Sequence, residues 1–152
     1  GQIFSGAAIT KIPQVEGIKG DIFSLVNLIL PKLKIKNPVS KDICSVKEVV
    51  EDYEMDPLVL KEATLNFYVQ FLVKGIRWIG SNISKYDYPC LILHGEMDRI
   101  VPREASIFLY NNIKSKDKEI KIYDNIYHEI LNENEKDRIL LDIINWVYNR
   151  ID

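Results

Sequence analysis

The stretch Pro89-Cys90-Leu91-Ile92-Leu93-His94-Gly95-Glu96-Met97-Asp98-Arg99-Ile100-Val101-Pro102 decides how the rest of the chain is read. Its first half is a compact apolar run stopped by glycine, the pattern of a strand covered on both faces. Its second half is a polar loop that ends at Pro102, whose fixed φ suits the first turn of a following helix. Ala105, Phe108, Leu109 and Asn112 fall on one face of that helix. Beyond the charged turn Lys114 to Lys118, Ile120, Ile122 and Tyr123 predict a second short strand. The stripe Leu140, Ile143, Ile144, Val147 and Ile151 predicts a closing amphipathic helix.

Upstream, Ile3, Phe4, Ala7, Ala8 and Ile9 read as another strand buried on both faces, ended by a turn at Lys11 to Pro13. Between about Val15 and Thr64 no strand alternation occurs. Ile22, Leu25, Val26, Ile29, Leu30 and Leu33 recur at helical spacing and read as a packing face, bent or ended by Pro31. Asp56-Pro57 reads as an N-cap followed by proline at the first helical position, so a helix is expected to start there. A helical period from Asn66 to Ile79 is expected to close at Gly80-Ser81. Strands alternating with helices argue for βαβ units and a parallel sheet. Three such strands leave an apolar edge unpaired, which folded proteins avoid. The expectation is therefore that further strands of the sheet are missing from this stretch.

The chain has 152 residues, 28% of them charged, with a formal net charge of −2. That balance lacks the basic footprint of a nucleic-acid partner. No run approaches the ~18 apolar residues of a membrane span, so a soluble or peripheral protein of unassigned compartment is expected. Cys44 and Cys90 are far apart and belong to no Cys/His cluster, so neither a disulfide framework nor a zinc site is encoded. No cofactor is implied.

In parallel sheets the working residues lie on loops at the carboxyl ends of strands. Two loops here meet that rule: the one carrying Asp98, and Asp124-Asn125-Ile126-Tyr127-His128-Glu129 after the next strand. Asp98 and His128 thus emerge one βα unit apart, within reach of each other. A carboxylate paired with an imidazole fixes the ring's tautomer and steadies the imidazolium, which is the chemistry of a general base. Asp124 and Glu129 are rival acids, but as sequence neighbours of His128 they would have to fold back onto it. His94 reads as a residue satisfying a buried strand end. His94, Asp98 and His128 as a metal site is the weakest reading, with no further His to support it.

The His94-Gly95-x-x-Asp98-x-x-Val101-Pro102 pattern followed by His128 resembles the second half of the α/β-hydrolase fold. Leu30 to Ile35, Tyr53 to Leu58 and Lys121 to His128 are similar to successive stretches of the monoacylglycerol lipase and lysophospholipase-like family, over Ile3 to Trp146. The resemblance implies an α/β fold: the C-terminal half of an α/β-hydrolase, three parallel strands with flanking helices, plus a helical cap insertion. Residues 1–14 and 76–152 would belong to the core, and 15–75 to the cap. It implies a serine esterase acting on monoacylglycerols or lysophospholipids, with Asp98 as acid, His128 as base, Tyr53 and Val101 as pocket residues, and the cap meeting membrane surfaces. The family's nucleophile motif, G-x-S-x-G, needs glycines four apart. Glycines 1, 6, 17, 20, 75, 80 and 95 contain no such pair. The serine is therefore expected in an N-terminal half of the same protein, and this chain alone is expected to be inactive. The alternative is a non-catalytic, truncated hydrolase that pairs its exposed sheet edge with a partner or with itself.

Overall fold

Cys90–Gly95, every residue of it buried, forms the central strand β4. In the computed structural model, which describes residues 1–10, 18–37 and 40–151, β4 pairs in parallel with β1 (Gln2–Ser5) and β5 (Lys118–Tyr123). The order is β1-β4-β5, so both ladders of β4 are filled. Alternation along the strand then sorts its side chains. Cys90 and Ile92 pack with Val101, Ala105, Leu109 and Ile113 under helix α5 (Glu104–Asn112). Leu91 and Leu93 pack with Tyr123, Ile126, Ile130, Ile139 and Trp146 under helix α6 (Lys136–Tyr148). One helix on each face makes three layers, as expected of the C-terminal portion of an α/β-hydrolase.

The flanking elements depart from the sequence pattern in instructive ways. β1 is not covered on both faces: Ile3 is exposed, Phe4 half-buried, and Gly6 ends the strand at φ +54°. It is an edge strand among the described residues. On α5 the buried face is Ala105, Ser106 and Leu109, whereas Phe108 and Asn112 turn outward. On α6 the covered stripe is Ile139, Ile143, Trp146 and Val147, and Leu140, Ile144 and Ile151 are exposed. Sequence periodicity gives the existence of an apolar face but not its phase when neighbouring positions are also apolar.

Between β1 and β4 runs a long insertion. Helix α1 (Ile18–Ile29) ends just before Pro31, and the Leu30 N–H still reaches the Val26 carbonyl at 2.9 Å. Two strands that the sequence did not signal follow, β2 (Lys34–Lys36) and β3 (Glu62–Thr64), paired antiparallel with Ile35 opposite Ala63. Three residues apiece, mostly polar, they carry no apolar alternation to read. Helix α2 (Lys47–Met55) lies between them. No helix starts at Asp56-Pro57. Asp56 closes α2, and its Oδ1 accepts the Leu58 N–H at 2.7 Å, an Asx turn that competes with the N-cap role for the same residue type. The helix start is Thr64, whose hydroxyl accepts the Phe67 N–H at 3.2 Å. From there α3 (Leu65–Tyr68), a π-helical stretch (Val69–Gly75) and α4 (Ile76–Asn82) form one rod that runs through Gly80 rather than closing on it. α1 lies against this rod, yet its predicted packing face stays open: Leu25 is 65% and Ile29 78% exposed. The predicted turn at Lys11 to Pro13 lies outside the described residues.

Leu91 has no exposed surface and sits at the centre of the α6-side core. Leu91→Ala is expected to lower stability by about 2–5 kcal/mol, read as a shift in the midpoint of urea denaturation. A shift below the value of a surface Leu→Ala control, such as Leu141→Ala, would mean that this face of the sheet is not packed.

Candidate active site

The three strands deliver one site at their carboxyl ends. Past β4 the chain turns at once, with the Asp98 N–H on the Gly95 carbonyl at 3.2 Å. That turn points the Asp98 side chain inward, where none of it is exposed. Its Oδ1 accepts the Ile100 and Val101 N–H groups at 2.8 and 2.9 Å. Its Oδ2 lies 2.7 Å from His128 Nδ1. His94 adds a fourth contact: its Nε2 is 2.9 Å from the Val101 carbonyl, so that nitrogen carries the proton, and it also lies 3.1 Å from Asp98 Oδ2. The other His94 nitrogen meets the Ser106 hydroxyl at 2.7 Å, which ties the strand end to α5. Burial pushes the Asp98 carboxyl up, but the hydrogen bonds from His128, His94 and Val101 outweigh it and hold the group well below the usual carboxylate range.

His128 arrives from the loop after β5. Asn125, the second residue of that loop, sits at φ +61°, a conformation asparagine tolerates better than most side chains. Two backbone bonds fix the loop against the Asp98 turn: Glu96 N–H to the Tyr123 carbonyl at 2.8 Å and Met97 N–H to the Ile126 carbonyl at 2.9 Å. Gly95 makes the close approach feasible, because a Cβ there would overlap the carbonyl oxygens of Ile126 and Tyr127. Gly6, at the end of β1, backs the imidazole; a Cβ there would stand 2.9 Å from His128 Cε1 and would also be strained at positive φ. With Nδ1–H given to Asp98, His128 keeps the Nε2 lone pair as a proton acceptor, and the ring remains 27% exposed.

The structure thus brings Asp98 and His128 together, and His94 joins them rather than only filling a strand end. Asp124 is exposed, and Glu129 accepts from Asn132 Nδ2 at 2.6 Å; neither meets His128. Val101 touches the site through its backbone, its side chain being buried in the core. Tyr53 lies on α2, 3.4 Å from Asn37 Nδ2 and beneath the Lys61 ammonium. No group of three side chains suited to a metal ion occurs among the described residues. Sequence reading missed Gly6 and Ser106. A glycine directly after a strand is a signal for the first, and none exists for the second.

A sequence profile described as serine aminopeptidase, S33, matches residues 1–135. The monoacylglycerol lipase of Mycolicibacterium smegmatis is 24% identical over 149 residues, 98% of this chain and 53% of that protein. The human monoglyceride lipase is 28% identical over 128 residues, 84% of this chain and 40% of that protein. The crystal structure of Paleococcus ferrophilus monoacylglycerol lipase superposes with a TM-score of 0.87 at 24% identity, covering 98% of this chain and 58% of that one. The chain spans about half the length of the first of these lipases.

A carboxyl held below its ordinary range stabilises the fold at pH values above about 4, and that contribution fades as pH falls through the depressed folded value. Urea denaturation of the protein and of Asp98→Asn is expected to differ widely at pH 7, with the gap closing under acid. A gap independent of pH would contradict the network drawn around Asp98.

Proposed function

We propose that this chain, which belongs to the serine aminopeptidase S33 family and has an α/β-hydrolase fold like that of monoacylglycerol lipases, supplies the acid and the general base of a serine esterase. The observation that carries the reading is the 2.7 Å contact between a fully buried Asp98 carboxylate and Nδ1 of a partly exposed His128, on the ends of adjacent parallel strands. His128 Nε2 takes the proton of a serine hydroxyl as the oxygen attacks an ester carbonyl. The imidazolium formed is steadied by Asp98, and its proton then passes to the departing alcohol. Water repeats the sequence on the acyl-enzyme and frees the carboxylic acid.

The serine belongs to the part of the protein upstream of Gly1. The open edge of β1 supports pairing with a strand from that part, since the rest of β4's neighbourhood is already filled. Residues 15–75 act as a cap over a core of 1–14 and 76–152. The substrate is a single-chain lipid ester, a monoacylglycerol or lysophospholipid. The names of the relatives support this class, and so do the exposed Leu25, Leu28, Ile29 and Leu30 of the insertion, an apolar surface that fits a membrane interface. Tyr53 lines the acyl path within the cap. Val101 contributes through its N–H on Asp98. The same open β1 edge supports the second reading, a non-catalytic protein that pairs this edge with a partner or a second copy.

A serine-directed fluorophosphonate distinguishes the two. The 152-residue chain is expected to show neither labelling nor ester hydrolysis. The protein carrying its upstream half is expected to show both, and His128→Ala in it is expected to lower kcat at least about a thousandfold. Labelling of any serine within this chain would overturn the assignment of the nucleophile, and an inert longer protein would favour the second reading. Faster turnover of short soluble esters than of a monoacylglycerol would overturn the lipid assignment.

A further inference from the structure

Glu133 lies just before α6, five residues past His128, with only 2% of its surface exposed. A buried carboxyl without a cation needs hydrogen-bond donors to offset its desolvation. Those it has come from two different directions. Its Oε1 accepts the Tyr127 N–H at 3.0 Å and the Ser45 N–H at 2.9 Å; its Oε2 accepts the Ser45 hydroxyl. Tyr127 is the residue whose carbonyl begins the peptide carrying His128. Ser45 belongs to an arm of the insertion, 88 residues away in sequence.

The arm and the histidine loop are held along their whole length of contact. The Glu129 N–H donates to the Ile43 carbonyl at 2.7 Å, and the Cys44 thiol to the Asn132 carbonyl at 3.3 Å. Ile43 and Cys44 are buried against the loop, and Arg99 reaches both sides of the seam, stacking on the Tyr127 ring and lying 3.6 Å from Asp42 Oδ1. Among the described residues only Glu133, however, binds the arm and the N–H of the residue before His128 with the same oxygen atom. Displacing Ser45 removes two of its three donors, and the carboxylate left behind must be rehydrated or must pull on Tyr127.

We propose that Glu133 is a positioning residue for His128, through which the arm Ile43–Ser45 of the insertion is mechanically coupled to the Asp98–His128 pair. Its catalytic meaning rests on His128 being the general base; the coupling itself is a property of the hydrogen bonds and is measured without turnover. The probe is the low-field proton on His128 Nδ1, observed by NMR in the full chain labelled with 15N-histidine and assigned by its absence in His128→Ala. Glu133→Gln, which keeps an oxygen for the two N–H donors, is expected to retain the resonance. Glu133→Ala is expected to lose it while the thermal transition still reports a folded protein. Ser45→Ala, a change on an exposed residue that does not touch His128, is expected to shift the resonance. A folded Glu133→Ala with the wild-type resonance would overturn the proposal, as would identical behaviour of the Ala and Gln variants. Should Glu133→Ala fail to fold, Ser45→Ala decides: a shifted resonance supports the coupling, and an unshifted one overturns it. Intact coupling in a protein that hydrolyses no ester would instead count against the proposed function alone.

Discussion

The constraint from which the rest follows is the burial of the Asp98 carboxylate. Removing such a group from water costs several kcal/mol unless donors replace the lost hydration. Here they come from three places: the N–H groups of Ile100 and Val101 in its own turn, His94 on the strand behind it, and His128 on the neighbouring loop. None of these can be moved far without leaving an oxygen unsatisfied. The parallel register supplies the alignment, placing His94 beside Ile122 and Gly95 beside Tyr123, so that the two loops leave the sheet at the same level. A slip of one residue would turn His94 to the other face and break the contact with Ser106 on α5.

Rigidity at the site is thus inherited from β4. Its side chains fill the space under both α5 and α6, and its two ladders leave no freedom to rotate. The insertion between β1 and β4 is built on different terms. Its helix α2 has no buried residue, its two strands are three residues long, and α1 leaves much of its apolar face in solvent. Elements with few buried apolar contacts open at lower free energy than a doubly covered strand. What fixes the insertion to the site is the short arm Ile43–Ser45, where burial and directional hydrogen bonds coincide.

How much of this was legible in the sequence follows from the range of each interaction. β4, its acid loop and the histidine after β5 were readable because a doubly buried strand admits only apolar residues and parallel sheets put their working loops at one end. β2 and β3 were not, because their pairing is carried by backbone bonds between residues such as Lys34 and Thr64 that announce no strand. The start expected at Asp56 moved to Thr64 because both residue types cap helices, and only the fold decides which of them is spent on a turn. On α6 Ile143 and Val147 are covered as the stripe predicts, whereas Ile139 and Trp146 take the buried places expected of Leu140 and Ile144, which are equally apolar. Within the site, Asp98 and His128 could be paired by topology, whereas Ser106 and Glu133 could not. Each acts through a partner on another element, and side chains of their type are usually solvated.

The two buried acids of this region, Asp98 and Glu133, differ in the partners that satisfy them. Both lie at the same end of the sheet, and both are satisfied by backbone N–H groups. Asp98 differs in that two of its contacts are imidazoles, one fully buried and one partly exposed. The exposed ring leaves one nitrogen open to solvent, which is what the proposed proton transfer requires of it. Glu133 touches no imidazole among the described residues; it accepts from an amide on each side and from a hydroxyl, and the buried Cys44 thiol lies beside it. Its contacts tie two backbone segments together, so its effect is on geometry. A site needs both kinds, since a general base is useful only while its lone pair stays aimed at the reacting atom, and aim is set by the peptide that carries the ring.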